Sequence, residues 1–131
     1  SGVGKALLAE MSERRLAAHL QRAPLERFTA HTITEPARLR AELDATRAQG
    51  FAVDDEEKTL GMRCIAAAVF DWTGEAVAGL SVSGPVSRVS QAETQRLAGA
   101  VTRAAAELSA ALGADRATRP QGPAQEAAAP H

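Results

Sequence analysis

Two apolar segments joined by a short turn constrain the fold of this chain more than any other feature. The segments are Met62 to Phe70 and Glu75 to Ser83, and Asp71-Trp72-Thr73-Gly74 lies between them. Two such runs with a glycine late in the connection are typical of an antiparallel β-hairpin. Side-chain alternation then predicts one face of the hairpin that carries Met62, Cys64, Ala66 and Ala68 on the first strand and Val77, Gly79, Ser81 and Ser83 on the second.

Helical patterns precede the hairpin. The spacing of apolar residues predicts a helix over Gly4 to Met11 and a second over Glu13 to Gln21, which Ser12 can cap. A third helix is expected to open at Thr34-Glu35-Pro36 and to stop at Gly50, a residue suited to a left-handed C-terminal cap. A short strand is then expected over Phe51 to Val53.

A long helix is predicted to close the domain. Ser90-Gln91-Ala92-Glu93 has the form of a capping box. The apolar stripe predicted to follow it comprises Leu97, Val101, Ala104, Leu108 and Ala111. Helices on both sides of an antiparallel hairpin indicate the α+β class, with an antiparallel sheet flanked by helices.

The 131 residues leave room for one compact domain and a tail. The stretch from Thr118 to His131 is rich in Pro, Ala and Gln and almost lacks large apolar residues, so it cannot bury enough surface to fold. We therefore predict a folded domain over residues 1–113 and a disordered tail over residues 114–131.

Charge and cysteine content exclude several kinds of protein. The net charge is −1 and no run of Lys or Arg could neutralise several phosphates, which makes the chain as given a poor nucleic-acid binder. A single cysteine excludes an intramolecular disulfide and a cysteine-based zinc cluster. No apolar stretch approaches the roughly 20 residues needed to cross a bilayer, and the N-terminus lacks the features of a signal peptide. The predicted location is the cytoplasm, with no membrane partner.

An enzyme is the main alternative that the sequence argues against. Cys64 could serve as a nucleophile and His19 or His31 as a base, but no local signature ties either histidine to the cysteine. No histidine has a partner at metal-ligand spacing, and His131 lies in the predicted tail. Phosphate-loop, nucleophile-elbow and dinucleotide motifs are also missing. We therefore predict no catalytic residues, no metal and no cofactor.

Several segments together carry a resemblance to a known family. GKALLA, followed by RAQGFAVDDEEKTLGMRCIAAAVFDWTGEAVAGLSVSGPVSRV, closely resembles the effector-binding domain of IclR-type (isocitrate lyase regulator) transcription factors. The match runs in order from Ser1 to about Gly113. Its specific parts are Gly-Phe with Asp54-Asp55-Glu56-Glu57, the step Gly61-Met62-Arg63-Cys64, and Ser81-Val82-Ser83-Gly84-Pro85.

The resemblance implies both a fold and a set of partners. The fold is a GAF-like (profilin-like) sensor domain, of which this chain looks like the C-terminal portion, truncated at its N-terminus. A winged helix-turn-helix would precede it in the full protein and would be the only part that binds DNA. The implied partners are a small-molecule effector, expected to be a carboxylic acid, and further copies of the chain in a homodimer or homotetramer.

The start of the first helix is the predicted centre of the effector site. Gly2 and Val3 are expected immediately before that helix, where backbone N–H groups and the positive end of the helix dipole can accept a carboxylate. The family implies four further polar contacts and one apolar wall, carried here by Asp54, Cys64, Ser81, Ser83 and Met62. Independently of the family, strand alternation alone puts Ser81 and Ser83 on one face.

Five of these residues also have a simpler interpretation. Cys64 could be a small buried filler, Asp54 part of a solvated acidic cluster, and Gly2 a turn glycine. The two serines could satisfy backbone groups at a strand end. The alternative function is a ligand-free dimerisation or interaction module, because Trp72 at a hairpin tip either meets another subunit or folds back on its own hairpin.

Overall fold

The computed structural model describes residues 2–22 and 29–114, which form four helices and three strands. In chain order these are α1 (Gly2–Ala9), α2 (Glu13–Arg22), α3 (Pro36–Gln49), β1 (Ala52–Asp55), β2 (Met62–Phe70), β3 (Ala76–Pro85) and α4 (Gln91–Ala111). The bounds of β2 are those predicted, and β3 starts one residue later and ends two residues later than expected. Of the predicted tail, all but Ala114 lies outside the described residues.

The three strands form one antiparallel sheet in the order β1-β2-β3. Ala66 in the middle of β2 pairs with Ala52 on one side and Ser81 on the other. Since paired residues share a face, the two faces of the sheet can be read directly from this register. Helix α4 packs on one face and α1 on the other, with α3 against the outer side of α1. The α+β prediction, an antiparallel sheet flanked by helices, is confirmed.

The two faces of the sheet carry side chains of different size. The face toward α4 holds the large core, in which Ile65, Val69 and Val101 are fully buried. The face toward α1 carries mainly alanine, and a small cluster of Ala6, Ala52 and Ala66 fills the space between helix and sheet. Small residues allow a helix backbone to lie close to a sheet, so the sequence of β2 itself sets the short distance at which α1 docks.

The C-terminal end of α1 is held by a side chain of α3. The guanidinium of Arg47 donates to the carbonyl oxygens of Ala9 at 2.8 Å and of Met11 at 3.1 Å, which places a positive charge at the negative end of the α1 dipole. Helix α3 stops at Gly50, whose φ of 89° is the left-handed cap that the sequence predicts. A second apolar cluster joins α1, α2 and α3, and its buried members are Ala9, Leu16, Ile33, Leu39 and Leu43.

The predicted apolar stripe of α4 is correct at Val101, which is buried, and wrong at Leu108 and Ala111, which are exposed. The buried positions are Ala98, Val101, Ala105 and Ser109, whereas Leu108 is exposed. Burial of a serine is possible because its hydroxyl accepts from the Phe70 N–H at 3.0 Å and donates to the Ala105 carbonyl at 2.8 Å. The predicted N-cap is confirmed, since Ser90 Oγ accepts from the Glu93 N–H at 3.3 Å. Among the helices of the described ranges, none has both the length and the apolar character for a membrane span.

The hairpin turn is built around Asp71. Its carboxylate accepts from the hydroxyl of Thr73 at 2.5 Å and from the Thr73 N–H at 2.9 Å, and these hydrogen bonds lower the pKa of Asp71 from its ordinary value. Gly74 closes the turn with φ of 84°. Trp72 is 69% exposed, so it does not fold back on its own hairpin.

Candidate functional site

A cavity of about 230 Å³ opens at the N-terminal end of α1. It lies between that helix end, the adjoining parts of β1, β2 and β3, and the loop from Glu56 to Gly61 that joins β1 to β2. The described residues that line it are Gly2, Asp54, Lys58, Thr59, Met62, Arg63, Cys64 and Ser83. One water molecule takes about 30 Å³ of liquid, and pockets for drug-sized ligands start near 300 Å³. The cavity therefore suits a ligand of a few heavy atoms.

Five of the seven residues predicted for the site line this cavity. They are Gly2, Asp54, Met62, Cys64 and Ser83. Val3 and Ser81 are not among the described lining residues. Ser81 pairs with Ala66 and is solvent-exposed, one step along the same face from Ser83. The side chain of Val3 packs toward Gly79, where an added Cβ would lie 2.6 Å from Val3 Cγ1.

The α1 start lies against the strand that carries the cysteine. Helix α1 begins at Gly2, so Gly2 and Val3 belong to its first turn, and the expectation that they precede a helix starting at Gly4 is wrong by two residues. A Cβ at Gly2 would lie 2.7 Å from Cys64 Sγ, which is why only glycine allows this approach. First-turn N–H groups lack partners within the helix, and the first turn of α1 contains no acidic side chain. Positive potential is thus directed at the cavity.

A row of three paired residues crosses the sheet beneath the helix start. Asp54 pairs with Cys64, and Cys64 pairs with Ser83 on its other side. Because cross-strand partners share a face, a carboxylate, a thiol and a hydroxyl line the same cavity. The row offers hydrogen-bond acceptors and donors to one small molecule, and Met62 supplies an apolar edge.

Asp54 takes part in the structure of the β1–β2 loop as well as in the cavity wall. It is 7% exposed, and its Oδ1 accepts from the Glu57 N–H at 2.9 Å. Glu56 has a positive φ of 60°, and its carboxylate accepts from the Gly61 N–H at 2.8 Å, which closes the loop. The acidic cluster is therefore not simply a solvated face, because its carboxylates organise the loop that borders the cavity.

Sequence reasoning missed four residues that border or support the cavity, and one of them is Arg63, which lines it from β2. Lys58 and Thr59 line it from the loop, and their position directly after the Asp54 segment was an available signal. Lys5, on α1, is only 6% exposed, and its ammonium donates to the Val53 carbonyl at 2.6 Å and to Glu57 Oε2 at 2.7 Å. No local pattern could reveal this contact, because its partners lie 48 and 52 residues away in sequence.

The site has no catalytic arrangement among the residues described. His19 and His31 do not line the cavity, and Cys64 has no adjacent histidine there to act as a base. Within residues 2–22 and 29–114, no group of three or more His, Cys, Asp or Glu side chains could hold a metal ion. The geometry is that of a small cavity at a helix start, with a few polar groups in a mostly apolar wall.

Comparisons with known proteins identify the family. The family model described as "Bacterial transcriptional regulator IclR C-terminal" matches residues 1–110. The chain is 53% identical over 109 residues to the HTH-type transcriptional regulator BhcR of Paracoccus denitrificans, which covers 83% of this chain and 39% of that protein. It is 40% identical over 116 residues to the transcriptional repressor IclR of Escherichia coli, covering 88% of this chain and 42% of that protein. The chain thus spans about two-fifths of the length of these relatives, which are named as regulators and not as enzymes.

Solved structures agree with this assignment. The chain matches the Thermotoga maritima IclR structure with a TM-score of 0.83 at 34% identity, covering 87% of this chain and 46% of that one. It matches the inducer-binding domain of PobR from Acinetobacter, a double mutant solved in complex with 3-hydroxybenzoic acid, with a TM-score of 0.77 at 27% identity. That match covers 83% of this chain and 65% of the PobR chain. Sequence and fold together establish that the chain belongs to the IclR family of bacterial transcriptional regulators and corresponds to part of their C-terminal domain.

Proposed function

We propose that this chain is the effector-sensing part of an IclR-type regulator and that a small carboxylic acid binds in the cavity at the start of α1. The observation that carries the proposal is the row Asp54, Cys64 and Ser83, which faces the first turn of α1 across a cavity of about 230 Å³. The PobR domain, whose structure contains 3-hydroxybenzoic acid, supports a ligand role for this fold.

The chemistry of the walls suggests how such an acid would bind. The ligand carboxylate would accept hydrogen bonds from the N–H groups of Gly2 and Val3, where the dipole of α1 stabilises negative charge. A carboxylate beside Asp54 would be repelled, so Asp54 is better matched to a ligand hydroxyl, which would donate to it. Ser83 would complete the polar contacts in the cavity, Ser81 would extend them at the next position of the same face, and Cys64 and Met62 would fit the remaining surface.

The regulatory step follows from differential affinity. A ligand that binds one conformation of the sensor more tightly than another shifts the population toward it. In the full-length regulator this shift would change the arrangement of the N-terminal winged helix-turn-helix domains, through which alone the protein would contact DNA. Assembly as a homodimer or homotetramer in the cytoplasm is part of the same proposal.

Ligand-linked stabilisation tests the site. A small organic acid at about 100 times its Kd should stabilise the full chain by roughly 2.7 kcal/mol and raise the midpoint of thermal unfolding by several degrees. The double variant Ser81→Ala/Ser83→Ala should keep the midpoint of the free protein and lose most of this shift. Ser87→Ala, an exposed serine in the turn after β3, is the matched control. A full ligand response in the double variant would rule out the serine pair as a contact.

A ligand-free interaction module is the second candidate, and the exposed apolar surface near the hairpin tip favours it. Trp72, Leu108 and Leu112 all expose large parts of their side chains there, and Trp72 Cβ would lie 3.1 Å from a Cβ at Gly113. Exposed aromatic rings are common centres of protein interfaces. Sedimentation of the Trp72→Ala variant separates the two functions. If the variant loses self-association but keeps its ligand response, the surface serves assembly and the cavity serves sensing.

A further inference from the structure

The charges around the cavity pose a problem for an anionic ligand. Asp54 is buried in the wall, and a second carboxylate would be repelled by it. The first turn of α1 contributes a partial positive charge equivalent to roughly half an elementary charge. This partial charge does not cancel the full negative charge of Asp54. Selective binding of an acid therefore needs a full positive charge at the cavity.

Two of the described lining residues are cations, and one of them is already engaged. The guanidinium of Arg63 donates to Asp55 Oδ1 at 3.0 Å and 2.8 Å through Nε and Nη2, and Nη1 donates to the Val89 carbonyl at 2.5 Å. Lys58 is exposed and has no hydrogen-bond or ion-pair partner among the described residues. Its ammonium is thus available to a ligand.

Lys5, although it belongs to α1, cannot take this role. Its ammonium is buried and already contacts the Val53 carbonyl and Glu57 Oε2, with Glu42 Oε1 at 3.6 Å. These contacts instead anchor the loop that carries Lys58. Glu57 is held through its side chain by Lys5 and through its N–H by Asp54, one residue before Lys58 in sequence.

The backbone of the same part of the loop has two further contacts, at Glu56 and Glu57. Thr29 Oγ1 donates to the Glu56 carbonyl at 2.5 Å, and Thr32 Oγ1 donates to the Glu57 carbonyl. The base of the loop is therefore fastened to α1, β1 and the segment before α3, whereas the side chain of Lys58 extends into solvent at the cavity. A cation on a fixed base can meet a ligand with little further ordering of the backbone.

We propose that Lys58, presented by the loop that the buried Lys5–Glu57 ion pair anchors, is the residue that selects a carboxylate over a neutral ligand in this cavity. The inference rests on the proposed function and adds to it a specificity-determining contact. The carboxylate is shared between the α1 start and Lys58, and Asp54 is left to accept from a hydroxyl or other donor on the same ligand.

The test compares acids with their neutral amides in the full chain. Lactate, pyruvate and 3-hydroxybenzoate are titrated by calorimetry, each beside its primary amide. Lys58→Met should raise the Kd of a bound acid roughly two- to fivefold, as one exposed charge-assisted contact allows, and leave the Kd of its amide unchanged. Lys58→Arg should restore most of the acid affinity. Arg103→Met, which makes the same change in net charge on the exposed side of α4, should have no effect.

Salt dependence gives a second readout that a structural role would not change. Because Lys58 is exposed, the acid affinity of the wild-type chain should fall between about 0.05 M and 0.5 M salt, and that of Lys58→Met should fall less. Equal acid affinity in wild type and Lys58→Met, or equal losses for acid and amide, would overturn the role of Lys58 alone. If the wild-type chain binds none of the three acids, the proposed function fails and this inference fails with it.

Discussion

Lys5→Met is expected to lower the free energy of unfolding by about 2 to 3 kcal/mol. The lysine is 6% exposed, and its removal leaves the Val53 carbonyl and the Glu57 carboxylate, itself 17% exposed, without their cation. Breaking one side of a fully buried ion pair costs about 3 to 5 kcal/mol, and the partial exposure of Glu57 and Glu42 reduces that figure here. Urea unfolding of the full chain, followed by circular dichroism, measures the change.

Lys58→Met is the matched control for this effect. It makes the same chemical change within the loop that Lys5 anchors, but at an exposed position, and should alter the unfolding free energy by less than about 0.5 kcal/mol. The double variant Lys5→Met/Glu57→Gln should cost less than the sum of its single changes, because neither then leaves a charge unpaired. Equal costs for Lys5→Met and Lys58→Met would show that the buried contacts contribute nothing.

Gly79→Val is expected to destabilise the chain by about 3 kcal/mol and to weaken ligand binding through α1. A Cβ at Gly79 would lie 2.6 Å from Val3 Cγ1 and 3.3 Å from Val3 Cβ and Cγ2, so the new side chain meets a branched residue in the first turn of the helix. Overpacking at such a contact forces the helix away from the sheet. The expected readouts are a lower midpoint of urea unfolding and a smaller ligand-induced thermal shift.

A compensating change separates this clash from a general loss of strand structure. Gly79→Ala/Val3→Ala removes both Cγ atoms of Val3 and should recover most of the stability that Gly79→Ala alone loses. Gly84→Ala provides a comparison on the same strand, where the new Cβ would lie 3.0 Å from a single methyl group of Val89. Failure of the Val3 change to compensate would mean that the position of α1 does not depend on this contact.

The hairpin and its faces could be predicted from the sequence because both depend on local information. Alternation has a period of two, so the bounds of β2 and the common face of Cys64, Ser81 and Ser83 follow once the turn is recognised. The same alternation also predicts that Cys64 and Ser83 border one cavity. Side-chain alternation could not show that Ser83 lines that cavity and Ser81 does not, because this depends on the position of the first turn of α1 over the strand.

Helix α4 shows where pattern reasoning fails. In an alanine-rich helix the two sides differ little in hydrophobicity, so leucines outweigh alanines in any prediction of the buried stripe. Here the small residues Ala98 and Ala105 are buried because the helix packs closely on β2, and Leu108 is left at the surface. The burial of Ser109 depends on the Phe70 N–H, 39 residues away, and no window of sequence contains that information.

Helix α1 lies near the beginning of the chain, but its partners come much later. Arg47 binds the end of this helix, and Lys5 binds residues 53 and 57. The β2–β3 hairpin, by contrast, closes over a five-residue connection and can form within microseconds. During folding α1 can therefore dock only after the sheet has formed, because the long loops between them close at an entropic cost. We expect the cavity to be among the last features to form, so that a ligand slows unfolding of the native domain without accelerating the early steps of folding.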